Sequence, residues 1–100
     1  MRFFKNPTWI TEFEYPYETF DQIPQSIFDE INTNLDKVQS NNPIASIVIT
    51  AWNEEVDILK TVGSLAKQKT SAPFEIIIVN NNSTDSTQKT LDKLNIRSFF

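Results

Sequence analysis

The stretch Ser46-Ile-Val-Ile-Thr-Ala-Trp-Asn-Glu-Glu55 decides the fold. Its unbroken apolar run from Ile47 to Ile49 is typical of a strand buried on both faces, and it ends abruptly in polar residues. Apolar residues then recur at helical spacing, which predicts a helix that buries one face. These residues are Ile58, Leu59, Val62, Leu65 and Ala66. The sequence therefore predicts a strand over 44–50, a polar turn and a helix over 54–69, the first half of a βαβ unit.

A second strand of the same kind is predicted over 74–79, where Ile76 to Val79 repeat the apolar run. Two such strands predict a parallel sheet covered by helices on both sides, in three layers. Ser83, Thr84 and Asp85 are good cap residues for a short helix after the second strand. Residues 97–100 look like the opening of a third strand. The predicted class is α/β, with a Rossmann-like parallel sheet and flanking helices.

The region before the first strand has a different character. Residues 1–22 are rich in aromatics without a regular period, which predicts an irregular arm, whereas 24–39 have the apolar spacing of an amphipathic helix. We expect two parts: 1–43, an acidic, aromatic arm plus a helix, and 44–100, the start of a nucleotide-binding subdomain. Because the chain stops as its third strand opens, we expect it to be a fragment of a longer protein.

Composition excludes several kinds of chemistry. The chain has no cysteine and no histidine, which removes thiolate chemistry and the commonest metal ligand and general base. The net charge is −4, and neither part shows the basic stripe of a nucleic-acid-binding protein. No apolar run approaches the roughly 20 residues of a membrane-spanning helix, and no secretory signal is evident. A cytoplasmic location is the default expectation.

Both predicted strands end in polar residues. Since the carboxyl ends of neighbouring parallel strands meet at one edge of a sheet, we expect residues 50–54 and 80–82 to face each other across a crevice where ligands bind. Some of these residues have simpler explanations. Glu55 is favoured in a first helical turn by the helix dipole, Asn53 and Asp85 are natural helix caps, and Asn82 suits a turn.

These exits carry a resemblance to a known family. Ser46-Ile-Val-Ile-Thr-Ala-Trp-Asn-Glu-Glu55, then Ser64-Leu-Ala-Lys-Gln68 and Glu75-Ile-Ile-Ile-Val-Asn-Asn-Asn-Ser-Thr-Asp85, resemble the start of a family-two glycosyltransferase of the GT-A fold. In that family the first strand commonly runs into Pro-x-Tyr-Asn-Glu, and the second into Asp-Asp-Gly-Ser-Thr-Asp or Asp-Asn-Asn-Ser-Thr-Asp. The resemblance covers 43–100 and implies that 44–100 begin a GT-A nucleotide-binding subdomain.

The resemblance implies a nucleotide site for a sugar donor. Thr50, whose backbone would approach the nucleotide, is followed by Ala51 and by Trp52, which takes the place of a tyrosine beside the base. Glu54 matches a glutamate that accepts hydrogen bonds from ribose or base. At the second exit the matching residues are Val79, Asn80 and Asn81.

The sequence departs from the family at this second exit, because Asn80 and Asn81 stand where two aspartates are common. A carboxylate only accepts hydrogen bonds, whereas an amide both accepts and donates. The resemblance therefore implies a nucleotide-sugar site without indicating which base it takes.

The resemblance also implies components that this chain lacks. The family's divalent metal, Mg²⁺ or Mn²⁺, and its carboxylate general base are held by residues beyond Phe100, so no catalytic residue and no metal ligand is expected here. The implied partners are a nucleotide-sugar donor and a glycan, lipid or other hydroxyl acceptor, and the parent protein could attach to the inner face of a membrane. The alternative is a non-catalytic binding or interaction domain of receiver or flavodoxin-like type.

Overall fold

The computed structural model describes residues 16–68 and 72–100. The predictions made for residues 1–15 and for residues 70 and 71 of the turn at 70–73 therefore lie outside the described residues. A short 3-10 helix, Phe20–Gln22, interrupts the part of the arm that the structure describes. The elements that follow are α1 (Gln25–Val38), β1 (Ala45–Ala51), α2 (Asp57–Ala66), β2 (Phe74–Asn80), α3 (Thr87–Asp92) and β3 (Arg97–Phe99).

The three strands form one parallel sheet in the order β1-β2-β3. Ile49 pairs with Ile78 and Ala51 with Asn80, so the two strands end level with each other. The predicted α/β class with a Rossmann-like parallel sheet is confirmed. The predicted start of the second helix at Glu54 is wrong, because residues 53–56 form a turn in which Asn53 has a φ of 50°, and α2 begins at Asp57.

One face of the sheet, called here the inner face, forms the core. Along β2, Phe74, Ile76, Ile78 and Asn80 are buried in strict alternation with partly exposed residues. Helices α1 and α2 pack against each other, and the buried residues of all three helices join this core. Its apolar members are Ile23, Phe28, Ile31, Leu35, Ala51, Val56, Ile58, Leu59, Val62, Ala66, Phe74, Ile76, Ile78, Leu91 and Leu94.

The opposite face, called here the outer face, is open in the part of the chain that the structure describes. Val48 is 61% exposed and Phe99 is 51% exposed. The prediction that β1 is buried on both faces is therefore wrong, as is the three-layer arrangement for these residues. Both crossovers step in the same direction along the sheet, and right-handed crossovers of this kind place α2 and α3 on the same face.

Helix α1 belongs to the same core as the sheet. Its Phe28, Ile31 and Leu35 are buried. The residue that follows it, Gln39, accepts a hydrogen bond from the Ile76 N–H at 3.0 Å through its side-chain oxygen. The predicted division at residue 43 therefore separates two stretches of sequence that share one hydrophobic core.

Candidate nucleotide site

The two strand exits lie side by side, as the sequence predicts. Ala51 pairs with Asn80 in register, and the Asn81 N–H donates to the Ala51 carbonyl at 2.8 Å. This bond extends the parallel ladder one residue past β2. Trp52 and Asn81 consequently follow the ends of two adjacent strands, each directly after the last residue of its strand.

Trp52 and Asn81 both present their side chains to solvent. Trp52 is 62% exposed and Asn81 is also exposed. The Asn81 side-chain amide makes no hydrogen bond to the described residues. Thr50, two residues before Trp52, is exposed as well. An indole plane beside a free amide suits a flat heteroaromatic ring, because the plane can stack and the amide can donate and accept at the ring edge.

Asn80 is placed differently from Asn81, although the sequence predicts both as nucleotide-binding. The Asn80 side chain is 2% exposed. Its Nδ2 donates to Gln88 Oε1 at 3.0 Å, and its Oδ1 accepts from the Ser83 N–H at 3.2 Å. With both ends of its amide engaged, Asn80 holds the start of the β2–α3 connection. Its side chain is occupied within the protein.

The other predicted residues divide in the same way. Ala51 is buried on the inner face, so only its backbone borders the crevice. Val79 is partly buried on the outer face, where it pairs in register with Thr50. The structure thus places Thr50 and Val79 on the outer face and Ala51 and Asn80 on the inner face, and Trp52 and Asn81 follow the strand ends as exposed residues.

Asn53 joins the two exits through a reciprocal pair of hydrogen bonds. Its N–H donates to Ser83 Oγ at 2.9 Å, and its Oδ1 accepts from the Thr84 N–H at 2.8 Å. The prediction that Asn53 caps its own helix is wrong, because Val56 precedes the first residue of α2. Asparagine is among the few residues that tolerate the positive φ of 50° found here. Asn53 fixes the distance between the β1 exit and the β2 exit.

Two buried threonines of α3 add further links between the exits. The Glu54 N–H donates to Thr87 Oγ1 at 2.8 Å, and the Thr90 hydroxyl donates to the Glu55 carbonyl. Both threonines are fully buried. Buried hydroxyls require partners, and here the backbone of the opposite exit supplies them. The crevice walls are therefore held by side chains that reach across from one connection to the other.

Glu55 has a role that the sequence did not indicate. Its Oε2 accepts from the Phe20 N–H at 2.7 Å, and its Oε1 accepts from the Ser86 N–H at 3.4 Å. The carboxylate thus connects the 3-10 helix to the residue before α3. The two partners lie 35 and 31 residues away in sequence, so no local pattern could have revealed them.

Glu54 lies in an acidic cavity of about 320 Å³ near the start of α2. Neither Trp52 nor Asn81 lines this cavity. Burial raises the pKa of Glu54, and the nearby carboxylates of Asp57 and Asp85 raise it further. The carboxylates that line the cavity belong to Glu18, Glu54, Glu55, Asp57 and Asp85.

Asp85 shows the opposite shift. Burial tends to raise its pKa, but hydrogen bonds from the Thr87 side chain and backbone, with smaller contributions from Glu55, lower the pKa below its usual value. The Thr87 N–H donates to Asp85 Oδ1 at 2.9 Å. The prediction that Asp85 occupies the cap position is wrong, because Ser86 precedes the first residue of α3, although Asp85 still accepts from the first N–H of that helix. Within 16–68 and 72–100, no group of three or more acidic side chains is arranged to hold a metal ion.

Taken together, the fold and the exits define a Rossmann-like α/β domain whose candidate ligand site lies at the carboxyl ends of its strands. The sequence pattern of glycosyl transferase family 2 matches residues 46–99, more than half of the chain. The chain belongs to glycosyl transferase family 2. The match covers both strand exits and all three strands apart from the first residue of β1.

Two curated relatives come from Streptomyces hygroscopicus, and both are named validoxylamine A glucosyltransferase. The protein from subspecies limoneus is 36% identical over 67 residues, which are 61% of this chain and 15% of that protein. The protein from subspecies jinggangensis, strain 5008, is 33% identical over 66 residues, which are 61% of this chain and 16% of that protein. The matched region therefore spans about a sixth of each relative's length. No solved structure matches the chain. Among the described residues, no helix is both long and apolar enough to cross a membrane.

Proposed function

We propose that this chain supplies part of the donor site of a glycosyltransferase that moves a sugar from a nucleotide diphosphate to an acceptor hydroxyl. The observation that carries the proposal is the pairing of an exposed indole with a free amide at adjacent strand exits, Trp52 beside Asn81. Membership of family 2 favours this function over a receiver or flavodoxin-like interaction domain. The names of the two relatives, both glucosyltransferases, support sugar transfer.

Each residue at the outer side of the crevice has a proposed role. Trp52 stacks on the base, and Asn81 forms hydrogen bonds with the edge of the base. Thr50 and Val79 lie on the same face of the sheet and border the nucleotide. Ala51 and Asn80 contribute through their backbone and by holding the two exits in register, since their side chains are buried.

Glu54 is proposed to meet the ribose and not the diphosphate. It shares its cavity with Asp57 and Asp85, and a cavity rich in carboxylates repels phosphate groups. Ribose hydroxyls are neutral donors that a carboxylate can accept. The negative charge at this end of the crevice therefore favours a pose in which the diphosphate points away from α2.

The transfer step places further demands on the whole enzyme. The acceptor hydroxyl attacks the anomeric carbon and gives up its proton to a carboxylate base, while the nucleoside diphosphate leaves with the electron pair of the broken bond. A divalent metal, Mg²⁺ or Mn²⁺, would neutralise the diphosphate as it leaves. The described residues offer no metal cluster and do not fit this ion. We propose that the base and the metal ligands are outside this chain, and that the chain alone transfers no sugar.

A nucleotide titration tests the proposal. In a Trp9→Phe background Trp52 is the sole tryptophan, so its fluorescence reports on the crevice. We expect UDP or GDP to change this fluorescence in a saturable way, because a stacked base alters the surroundings of the indole. Pyrophosphate, which lacks a base, serves as the control and should give no comparable change. If the Trp52 fluorescence of a folded sample changes with neither nucleotide, the proposal is wrong.

A further inference from the structure

We propose that Glu55 is a positioning residue of the donor site, which holds residues 16–22, the described part of the arm, against the turn that carries Glu54. The arm thereby forms a further wall of the site, and nucleotide binding is coupled to the hydrogen bond between Glu55 and the arm. This inference rests on the proposed function, since it concerns how the same site is held in shape. It adds residues that precede the stretch 46–99 matched by the family pattern.

The turn over residues 53–56 depends on hydrogen bonds to other parts of the chain, because it belongs neither to the strand nor to the helix that it joins. Its backbone forms three such bonds with the hydroxyl groups of Ser83, Thr87 and Thr90. All three partners lie in α3 or in the connection that precedes it. These bonds fix the turn to one neighbouring element.

The side chain of Glu55 links the turn to a second element, the arm. Its Oε2 accepts from the Phe20 N–H at 2.7 Å, while its Oε1 accepts from the Ser86 N–H at 3.4 Å. The Phe20 ring is itself held in place, because its centre lies 6.2 Å from that of Phe28 and 5.7 Å from the Lys93 ammonium. Hydrogen bonds to a charged carboxylate are among the stronger ones in proteins. Glu55 therefore ties the turn to an anchored point of the arm.

The arm and the turn also share one cavity. Tyr17 and Glu18 of the arm line the cavity of about 320 Å³ that Glu54 borders. Phe20, whose N–H binds Glu55, follows Glu18 by two residues. The wall of the cavity formed by the arm is thus placed by the bond between Phe20 and Glu55. We expect a ribose bound to Glu54 to contact this wall.

This arrangement couples the arm to the nucleotide. A chain whose arm is detached for part of the time binds more weakly, because the apparent affinity falls with the fraction of complete sites. By the reciprocity of linked equilibria, a bound nucleotide must then favour the attached arm to the same extent. Couplings of this kind typically change affinity by about fivefold or more.

A proline substitution can remove this one hydrogen bond and leave the carboxylate intact. Phe20→Pro eliminates the N–H that Glu55 binds. The backbone suits proline, because Phe20 is the first residue of the 3-10 helix and Thr19 before it is extended, with a φ of −132° and a ψ of 160°. Phe20→Ala is the matched control, since it loses the same ring and retains the N–H.

Both variants are made in the full chain with Trp9→Phe and titrated with UDP and GDP, with Trp52 fluorescence as the readout. Urea denaturation establishes conditions in which both are folded. For the nucleotide that binds the parent more tightly, we expect Phe20→Pro to bind at least about fivefold more weakly than Phe20→Ala. In a Glu55→Ala background the same two variants should agree within about twofold, because the bond is already absent.

Amide hydrogen exchange gives a readout that a merely structural bond would not change. Saturating nucleotide should slow exchange of the Phe20 N–H by at least about fivefold. The Ser40 N–H is the control, because it donates to the Phe74 carbonyl at the other end of the sheet. We expect nucleotide to slow its exchange less than that of the Phe20 N–H.

Three results would overturn the inference and leave the proposed function intact. The first is equal nucleotide affinity of folded Phe20→Pro and Phe20→Ala. The second is a difference between them that persists in the Glu55→Ala background. The third is exchange of the Phe20 N–H that bound nucleotide leaves unchanged. If neither nucleotide binds the folded parent chain, the proposed function fails and this inference fails with it.

Discussion

The inner and outer faces of the sheet are formed by the same strands but differ in burial. On the inner face the apolar residues of β2 are buried, and the buried polar residue Asn80 has hydrogen-bond partners at both ends of its amide. On the outer face Val48 and Phe99 are largely exposed. Because side chains alternate along a strand, adjacent residues such as Asn80 and Asn81 fall into different environments.

The two strand exits combine a backbone fixed by hydrogen bonds with side chains that are exposed to a ligand. The inner-side residues, together with Asn53, fix the two connections through hydrogen bonds that cross between them. The side chains of Trp52 and Asn81 take no part in these hydrogen bonds. Substitutions on the inner side should therefore change stability, and substitutions on the outer side should change ligand binding.

The largest expected effect compares Ile78 with Val48. Ile78 is fully buried in the core, and Ile78→Ala should lower the free energy of unfolding by about 2–5 kcal/mol. Val48→Ala on the exposed face should change it by no more than about 0.5 kcal/mol, as is usual for surface positions. Urea denaturation of both variants measures the difference. Equal losses at the two positions would mean that the outer face is covered in solution.

The next effect compares Asn80 with Asn81 directly. Asn80→Ala removes the acceptor of the Ser83 N–H and the donor to Gln88, which should destabilise the chain by about 1–3 kcal/mol. Asn81→Ala should stay within about 0.5 kcal/mol of the wild type, because its side chain is exposed.

Nucleotide titration should rank the same two variants in the opposite order. Asn81→Ala should lose affinity for UDP, whereas Asn80→Ala, measured where it is fully folded, should retain more of it. A folded Asn80→Ala protein that loses more affinity than Asn81→Ala would contradict the assignment of Asn80 to the hydrogen bonds that fix the two connections. Chemical denaturation provides the matching stability values.

These two asparagines also show what the sequence could and could not predict. The apolar runs predicted the parallel sheet and the meeting of its two exits, because strand burial and crossover handedness are local and general rules. The same sequence predicted Asn80 and Asn81 as equal members of the site. Only the observed alternation at the end of β2, with Gln88 eight residues further on, separates them.

Other misses have long-range causes. The apolar run of β1 could not indicate whether one face or two would be covered, because that depends on where helices elsewhere in the chain are placed. Glu55 was assigned to a helix dipole because its partners, Phe20 and Ser86, are distant in sequence. Asn53 was expected to cap α2, since the same residue type suits a cap and a positive φ.

Substitutions of Asn53 provide the third test. They separate the contribution of its positive φ to stability from that of its hydrogen bond with the Thr84 N–H. Asn53→Ala removes the acceptor for the Thr84 N–H and disfavours the positive φ, so it should cost about 1–2 kcal/mol. Asn53→Gly restores the backbone freedom but not the acceptor, and Asn53→Asp retains both. We expect stability to rank as wild type and Asp, then Gly, then Ala. A glycine variant as stable as the wild type would show that the cross-link contributes nothing.

The smallest expected effects are the pH dependences of Asp85 and Glu54, which should have opposite signs. The lowered pKa of Asp85 gives stability that is present above its usual pKa and lost as pH falls through the folded-state pKa. Asp85→Asn should therefore be less stable than the wild type at neutral pH, and the difference should close in acid. The raised pKa of Glu54 gives stability that is complete below its usual pKa and lost as pH rises through the folded-state value.

Glu54→Gln should consequently be more stable than the wild type at neutral pH and equal to it in acid. Both differences should stay below about 1 kcal/mol, because solvent screens partly exposed charges. Urea midpoints measured from pH 3 to pH 7 for the two variants and the wild type provide the comparison. If Glu54→Gln and Asp85→Asn shift stability in the same direction at pH 7, the two carboxylates do not differ in environment, and the acidic cavity acts only through its total charge. Opposite shifts would show that the hydrogen bonds to Asp85 outweigh its repulsion by the other carboxylates of the acidic cavity. They would also show that no comparable hydrogen bonds stabilise the ionised carboxylate of Glu54.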